Sequence, residues 1–207
     1  LMDAMPIDFA EELRAWSSQL QSSKEMLSIL EKKFLELPQG GTAVGSGINA
    51  HKQFAKYFAQ EMTKLSGNKY KCVPSKNFYH ELSAQDCSVQ LSGELKNLAV
   101  ILMKISNDLR WMNSGPLAGL SEIELKALQP GSSIMPGKVN PVIPEAVAMA
   151  SADVIGNDVS ITVAAQSGSF QLNVMLPVIA YNLLKSINLL SGAMDVLSKK
   201  AIKTFKV

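Results

Sequence analysis

With 207 residues, 47% of them hydrophobic and 18% charged, the chain is long and apolar enough to bury a substantial core, which excludes a disordered polypeptide. Twenty Lys plus Arg against 18 Asp plus Glu leave a formal charge of +2 with no basic run of the size a polyanion needs, so nucleic-acid binding is not expected. Cys72 and Cys87 form no CxxC pair and have no histidine at zinc-site spacing, so they read as reduced thiols, and neither a metal nor another cofactor is expected.

The N-terminal stretch carries Asp3, Asp8, Glu11 and Glu12 where a signal peptide would be basic and then apolar, so secretion is not expected. The cytoplasm is the expected compartment, or the mitochondrial matrix in a eukaryote. The most apolar stretches, LAVILM (98–103) and VMLPVIAYNLL (174–184), fall short of the roughly 20 residues of a membrane-spanning helix, so no membrane partner is expected.

Taken in chain order, Phe9, Leu13, Trp16, Leu20, Leu27, Leu30, Phe34 and Leu37 recur in steps of three, four and seven, which predicts one long helix. Asp8 is its expected N-cap, Glu11 completes a capping-box pattern, and Pro38-Gln39-Gly40-Gly41 supplies the stop. A shorter, peripheral helix is predicted over 49–66, with Phe54, Tyr57, Phe58, Met62 and Leu65 on one face and Gly67 at its end. The stripe returns in a third helix over 82–112, through Leu91, Leu95, Leu98, Leu102, Ile105, Leu109 and Met112.

Residues 114–141 are so rich in glycine and proline that regular structure must fail there, and a long loop inside a compact chain tends to be functional. A helix poor in charge follows from Glu145 to about Ala165, expected to be buried on most sides. A last stripe runs Leu176, Ile179, Leu183, Ile187, Leu190, Met194 and Leu197. Strand signals are nearly absent, so the fold class is all-α, a bundle of long helices. The stripes offer more apolar surface than a slim bundle covers, which points to burial against further subunits, although internal packing would read the same way.

Within the loop, Gly131–Pro141 reads GSSIMPGKVNP, with two hydroxyls, a lysine and a side-chain amide between glycines and prolines that lead into a helix. Such a loop can fold over an anion, and a small carboxylate suits it better than a phosphate because GxxxxGK[ST] is not met. The plain alternative is that Ser132 and Ser133 only make turn hydrogen bonds and that Lys138 is solvated.

GSSIMPGKVNP also resembles the signature of the fumarase and aspartase superfamily, which includes aspartate ammonia-lyase, argininosuccinate lyase and adenylosuccinate lyase. Four further segments agree in the same order: GGTAVGSGIN (40–49), KISNDLRWMNSGP (104–116), VIGNDVSITVAAQSG (154–168) and FQLNVMLPVI (170–179). The resemblance implies that residues 1–207 are the central helical-bundle domain, assembled as a homotetramer with active sites built from several subunits.

It also implies the chemistry. Proton abstraction next to a carboxylate creates an aci-carboxylate dianion, which needs a positioned base and preorganised donors. By resemblance Ser132 is the base, and a hydroxyl can serve as an alkoxide only where N–H groups and positive charge stabilise it. Ser133, Lys138 and Asn140 then hold the substrate carboxylates, and Val139 contributes its backbone. The matching glutamate of fumarases orients a histidine, a role that falls to Glu145, although a carboxylate at a helix start can simply complement the helix dipole. The family pattern Thr-His-Leu-x-Asp-Ala-x-Pro is met only from Leu1 onward, in Leu1-Met2-Asp3-Ala4-Met5-Pro6, so the histidine is expected to be missing along with the N-terminal and small C-terminal domains. The isolated chain is therefore expected to be inactive. His51 and His80 read as surface or capping residues, and Leu117 stands where many relatives have arginine.

Within the superfamily, Gly137 is similar to class II fumarases, whereas aspartases more often have alanine there. The expected activity is reversible hydration of fumarate to malate. Aspartate ammonia-lyase and a non-catalytic helical oligomerisation module are the alternatives.

Overall fold

A computed structural model describes residues 2–207, and Leu1, the first residue of the opening discussed above, lies outside them. The described residues form α1 (Phe9–Lys33), β1 (Glu36–Leu37), α2 (Phe54–Leu65), β2 (Val73–Pro74), α3 (Phe78–Ser83), α4 (Asp86–Met112), α5 (Val142–Gln166) and α6 (Leu176–Leu197), and a π-helical turn follows at Ser198–Ile202. The all-α class expected from periodicity is therefore observed, with one parallel pairing of two-residue strands as the only sheet among the described residues.

The chain divides into two compact units. One comprises Leu1–Lys24, Leu95–Gly156 and Lys185–Val207, and the other Glu25–Glu94 and Asn157–Leu184.

In the first unit, Asp8 caps α1 as expected, its Oδ1 accepting from the Ala10 N–H at 2.8 Å. The capping box does not close, because Glu11 is taken by an ion pair with Arg14 one turn on. The predicted stripe of α4 lies inside: Leu98, Leu102, Ile105 and Leu109 are buried, each contributing about 1.5–3 kcal/mol by leaving water. A polar bond between α1 and α4 accompanies them. Lys104 Nζ sits 2.8 Å from Glu12 Oε1, 2.5 Å from Asp108 Oδ2 and 5.8 Å from the ring centre of buried Trp16, whose indole N–H donates to Glu12 at 2.7 Å. Burial pulls the Lys104 pKa down, but its hydrogen bonds to Asp108 and Glu12 outweigh that and raise it. The hydrogen bond from Lys104 holds the Glu12 carboxyl below its usual range. Phe9 meets Phe205 edge-on at 5.7 Å, and Glu124 and Lys206 exchange two backbone hydrogen bonds at 2.9 and 3.0 Å.

In the second unit, α1 ends at Lys33 rather than at Pro38, so Phe34 and Leu37 of the predicted stripe lie beyond the helix. A competing backbone partner explains this: the Leu35 and Leu37 carbonyls accept from Val73 and Ser75, both at 2.9 Å, which pulls the chain into the parallel pairing. The predicted third helix over 82–112 is α4 from Asp86 onward, while Leu82 and Ser83 end the short α3, parted from α4 where Ala84 turns extended (ψ 140°). His80 bridges that break, with Nε2 2.8 Å from Asp86 and Nδ1 3.1 Å from Glu81. Its pKa is raised, chiefly by the Asp86 hydrogen bond. α2 is shorter than 49–66 and peripheral as expected; it buries Ala59 and leaves Phe54, Tyr57, Met62 and Leu65 exposed.

The glycine-rich segment 40–47 of this unit lies directly on its neighbours. A Cβ on Gly41 would come within 2.8 Å of Phe78, and one on Gly45 within 2.7 Å of the Tyr79 backbone nitrogen. Asn173, buried in the FQLNVM stretch, donates to the last carbonyls of α5 at Ala164 and Ala165 and accepts from the Met175 N–H, so it closes one helix and opens the next. Ser92 donates to Asp158 at 2.6 Å inside this unit.

α5 departs from its expected burial on most sides. Val147, Ser151, Val154, Asp158, Ile161 and Ala164 are buried on one face, while Met149 (67% exposed), Val159 and Val163 lie open. Among the described residues no neighbour covers that side. α5 is also the one helix among the described residues long and apolar enough to cross a membrane by length and composition, longer than the apolar stretches 98–103 and 174–184. Its buried, hydrogen-bonded Asp158 is what a packed core helix contains.

Candidate active site

The loop 113–141, the end of α4 and the start of α5 border an open cavity of about 830 Å³ within the first unit. α5 begins at Val142, immediately after Pro141, and a proline just before a helix start costs it no hydrogen bond because the first N–H groups are unpaired in any case. That start sets Glu145 in the first turn, half-buried, its N–H donating to the Pro141 carbonyl at 3.2 Å. Lys138, Val139, Asn140 and Glu145 all line the cavity.

Ser132 and Ser133 stand apart from them. Neither belongs to the cavity wall; they lie at the neck of the same loop, which is closed by the Ser132 N–H donating to the Lys138 carbonyl at 3.0 Å and the Lys138 N–H donating to Met135 at 3.1 Å. Gly131 permits this closure, since a Cβ there would approach the Lys138 carbonyl oxygen to 2.9 Å, and Gly137 turns the chain with φ +82°. The Ser132 hydroxyl accepts a long contact, 3.4 Å, from the Ile134 N–H. Such an N–H favours the anionic form of that oxygen, the state a serine base must reach.

Sequence reasoning missed Asn107, Arg110, Asn113 and Lys126, which line the same cavity. Asn107 and Arg110 share one helical face and are themselves bonded, Arg110 Nη1 to Asn107 Oδ1 at 3.1 Å. The signal was present in KISNDLRWMNSGP: Asn107, Arg110, Trp111 and Ser114 recur at helical spacing, opposite in phase to Ile105, Leu109 and Met112. A polar stripe running to a helix end beside a glycine-proline loop marks a face turned away from the core.

The two histidines are placed as surface groups. His51 accepts from the Gln53 N–H at 3.2 Å, and His80 is the α3–α4 bridge described above. Leu117 is 98% exposed. Among the described residues no group of three or more His, Cys, Asp or Glu side chains stands close enough to hold a metal ion. The cavity therefore offers three cations, Lys138, Arg110 and Lys126, side-chain amides and two carboxylates, Glu124 on the wall and Glu145 in the first turn of α5. That set suits a small dianion that loses or gains a proton.

A family model described as Lyase matches residues 1–156. The fumarate hydratase class II 2 of Pseudomonas aeruginosa is 57% identical over 207 residues, which are 100% of this chain and 45% of that protein. The class II fumarate hydratase of Bacillus subtilis is 47% identical over 195 residues, 94% of this chain and 42% of the relative. Among solved structures, a recombinant class II fumarase from Schistosoma mansoni superposes with a TM-score of 0.97 at 35% identity, covering 100% of this chain and 46% of that one. A fumarate lyase:delta crystallin from Brucella melitensis bound to cobalt gives 0.95 at 42% identity, covering 100% and 44%. The chain thus spans less than half the length of the relatives it matches.

Proposed function

We propose, since the chain belongs to the lyase family, that residues 1–207 are the central helical-bundle part of a class II fumarate hydratase, which interconverts fumarate and L-malate. The observation that carries this reading is the convergence of Lys138, Val139, Asn140 and Glu145 on one cavity directly beside the Ser132 loop. In the dehydration direction Ser132, as the alkoxide, takes the C3 proton of malate. The electron pair passes into the adjacent carboxylate to give the aci-carboxylate dianion, and its return expels the C2 hydroxyl, which leaves as water once protonated. Lys138 and Asn140 meet the negative charge that develops on the carboxylates. Ser133 donates to the same groups, and Glu145 orients the proton-carrying histidine that the family supplies.

Parallel assays of malate dehydration and aspartate deamination on the intact polypeptide that carries these residues test the reading. Conversion of malate to fumarate is expected, and none is expected from residues 1–207 alone. Ammonia release from aspartate would assign the chain to the aspartases instead, and no turnover of either substrate would leave a helical oligomerisation module.

Self-association as a homotetramer is part of the same proposal. Met149, Val159 and Val163 on α5 and Tyr181 (67% exposed) and Leu184 on α6 present apolar surface of the kind that subunit contacts cover. Light scattering is expected to give a mass near four chains, and a monomer at every concentration would overturn the proposal.

A further inference from the structure

The cavity wall at 121–126 has no regular structure of its own, so its shape depends on where its backbone N–H groups are bound. α4 ends at Met112 and leaves its last carbonyls without helical partners. The wall uses them: the Met112 carbonyl accepts from Glu122 at 2.8 Å and Ile123 at 3.2 Å, and the Ser114 carbonyl accepts from Ser121 at 2.8 Å. Glu124 pairs with the Lys206 backbone in both directions, and the Ile123 side chain is buried beneath the segment. Leu125 is different. Its N–H donates to a side chain, Asn113 Oδ1, at 2.7 Å.

From Ser121 to Leu125, then, every N–H is held, and only the last is held by a group that a substitution can remove. Among the described residues no backbone tether follows until the Ser132 N–H, and Lys126, the next residue, lines the cavity together with Lys138 and Asn140. We propose that Asn113 is a positioning residue of this site, whose side-chain carbonyl fixes the end of the 121–125 wall and thereby the placement of Lys126 against the substrate carboxylates. The proposal rests on the fumarate hydratase reading for its kinetic consequence, but not for its structural one.

The acceptor role separates three variants of the intact polypeptide. Asn113→Ala removes the acceptor, Asn113→Leu removes it while keeping bulk, and Asn113→Asp keeps a carboxylate oxygen at the same reach. Leaving one half-buried amide unpaired loosens the wall, so Asn113→Ala and Asn113→Leu are expected to raise KM for malate about 5- to 50-fold and to change kcat by less than about threefold, since the wall binds ground and transition states alike. Asn113→Asp keeps the acceptor but adds a negative charge to the wall of an anion site, so it is judged by exchange and not by KM. Hydrogen exchange read by mass spectrometry should show faster exchange confined to 121–128 in the first two variants and normal exchange in Asn113→Asp. An unchanged KM together with unchanged local exchange in Asn113→Ala, or a folded Asn113→Asp that fails to restore normal exchange, would overturn the proposal. If the intact polypeptide shows no hydratase activity, the functional reading falls and the exchange pattern by itself decides whether Asn113 holds the wall.

Discussion

Replacing Ser132 by alanine in the intact polypeptide is expected to lower kcat by about 10²- to 10⁴-fold, the usual contribution of a positioned base, while KM changes little. The separation follows from the chemistry: a base acts only as the proton leaves, so removing it costs turnover more than substrate binding. The change is also small in volume and leaves intact the Ser132 N–H to Lys138 carbonyl bond that closes the loop. Lys138→Ala should differ in kind, because a charge that meets a substrate carboxylate in both ground and transition states raises KM when it is removed. Steady-state kinetics of the two variants, with melting curves to confirm that both fold, separate base from binding group. Near-normal turnover in Ser132→Ala would move the base to another residue.

The second large effect is expected on stability, at Gly45. Its φ of +108° is a conformation that L-residues avoid, and an added Cβ would stand 2.7 Å from the Tyr79 backbone nitrogen and 2.8 Å from its Cα, where no flexible side chain can give way. Strain and overpacking together are expected to cost Gly45→Ala about 3–5 kcal/mol. Gly67 supplies the control. Its φ is +67° at the end of α2 but nothing lies within 4 Å of an added Cβ, so Gly67→Ala should cost only the conformational part, about 1–2 kcal/mol. Denaturant unfolding of both variants in the intact polypeptide measures the difference. Equal losses would mean that backbone conformation governs both sites and that the close approach of 40–47 to α3 contributes nothing.

Local periodicity was sufficient for the helices. The Leu98, Leu102, Ile105 and Leu109 stripe is buried as its spacing requires, and Asp8, Gly67 and the loop up to Pro141 mark helix ends where capping chemistry puts them. It failed where a partner distant in sequence competes. Phe34 and Leu37 continue the α1 pattern perfectly well, but the Val73 and Ser75 N–H groups take the carbonyls of Leu35 and Leu37, and no local signal announces a strand two residues long. α5 shows the opposite limit: a helix apolar on all sides carries no phase, so its sequence could not say which face the chain itself covers.

For the site, the residue types in Gly131–Pro141 suggested a loop able to hold a small anion through Lys138, Asn140 and the hydroxyls of Ser132 and Ser133, and it was the resemblance to the fumarase and aspartase superfamily that gave Ser132, Ser133, Lys138, Val139, Asn140 and Glu145 their expected roles. Only the tertiary structure decided which of them meet. It gathers Lys138, Val139, Asn140 and Glu145 around one cavity, leaves the two serines at the loop's neck, and adds Asn107, Arg110 and Asn113 from the end of α4 and Lys126 from the wall. Chemical identity is a property of single residues and is legible in the chain. Convergence depends on backbone hydrogen bonds, such as those joining Met112 to Ile123 and Glu124 to Lys206, that close only when segments distant in sequence are packed together.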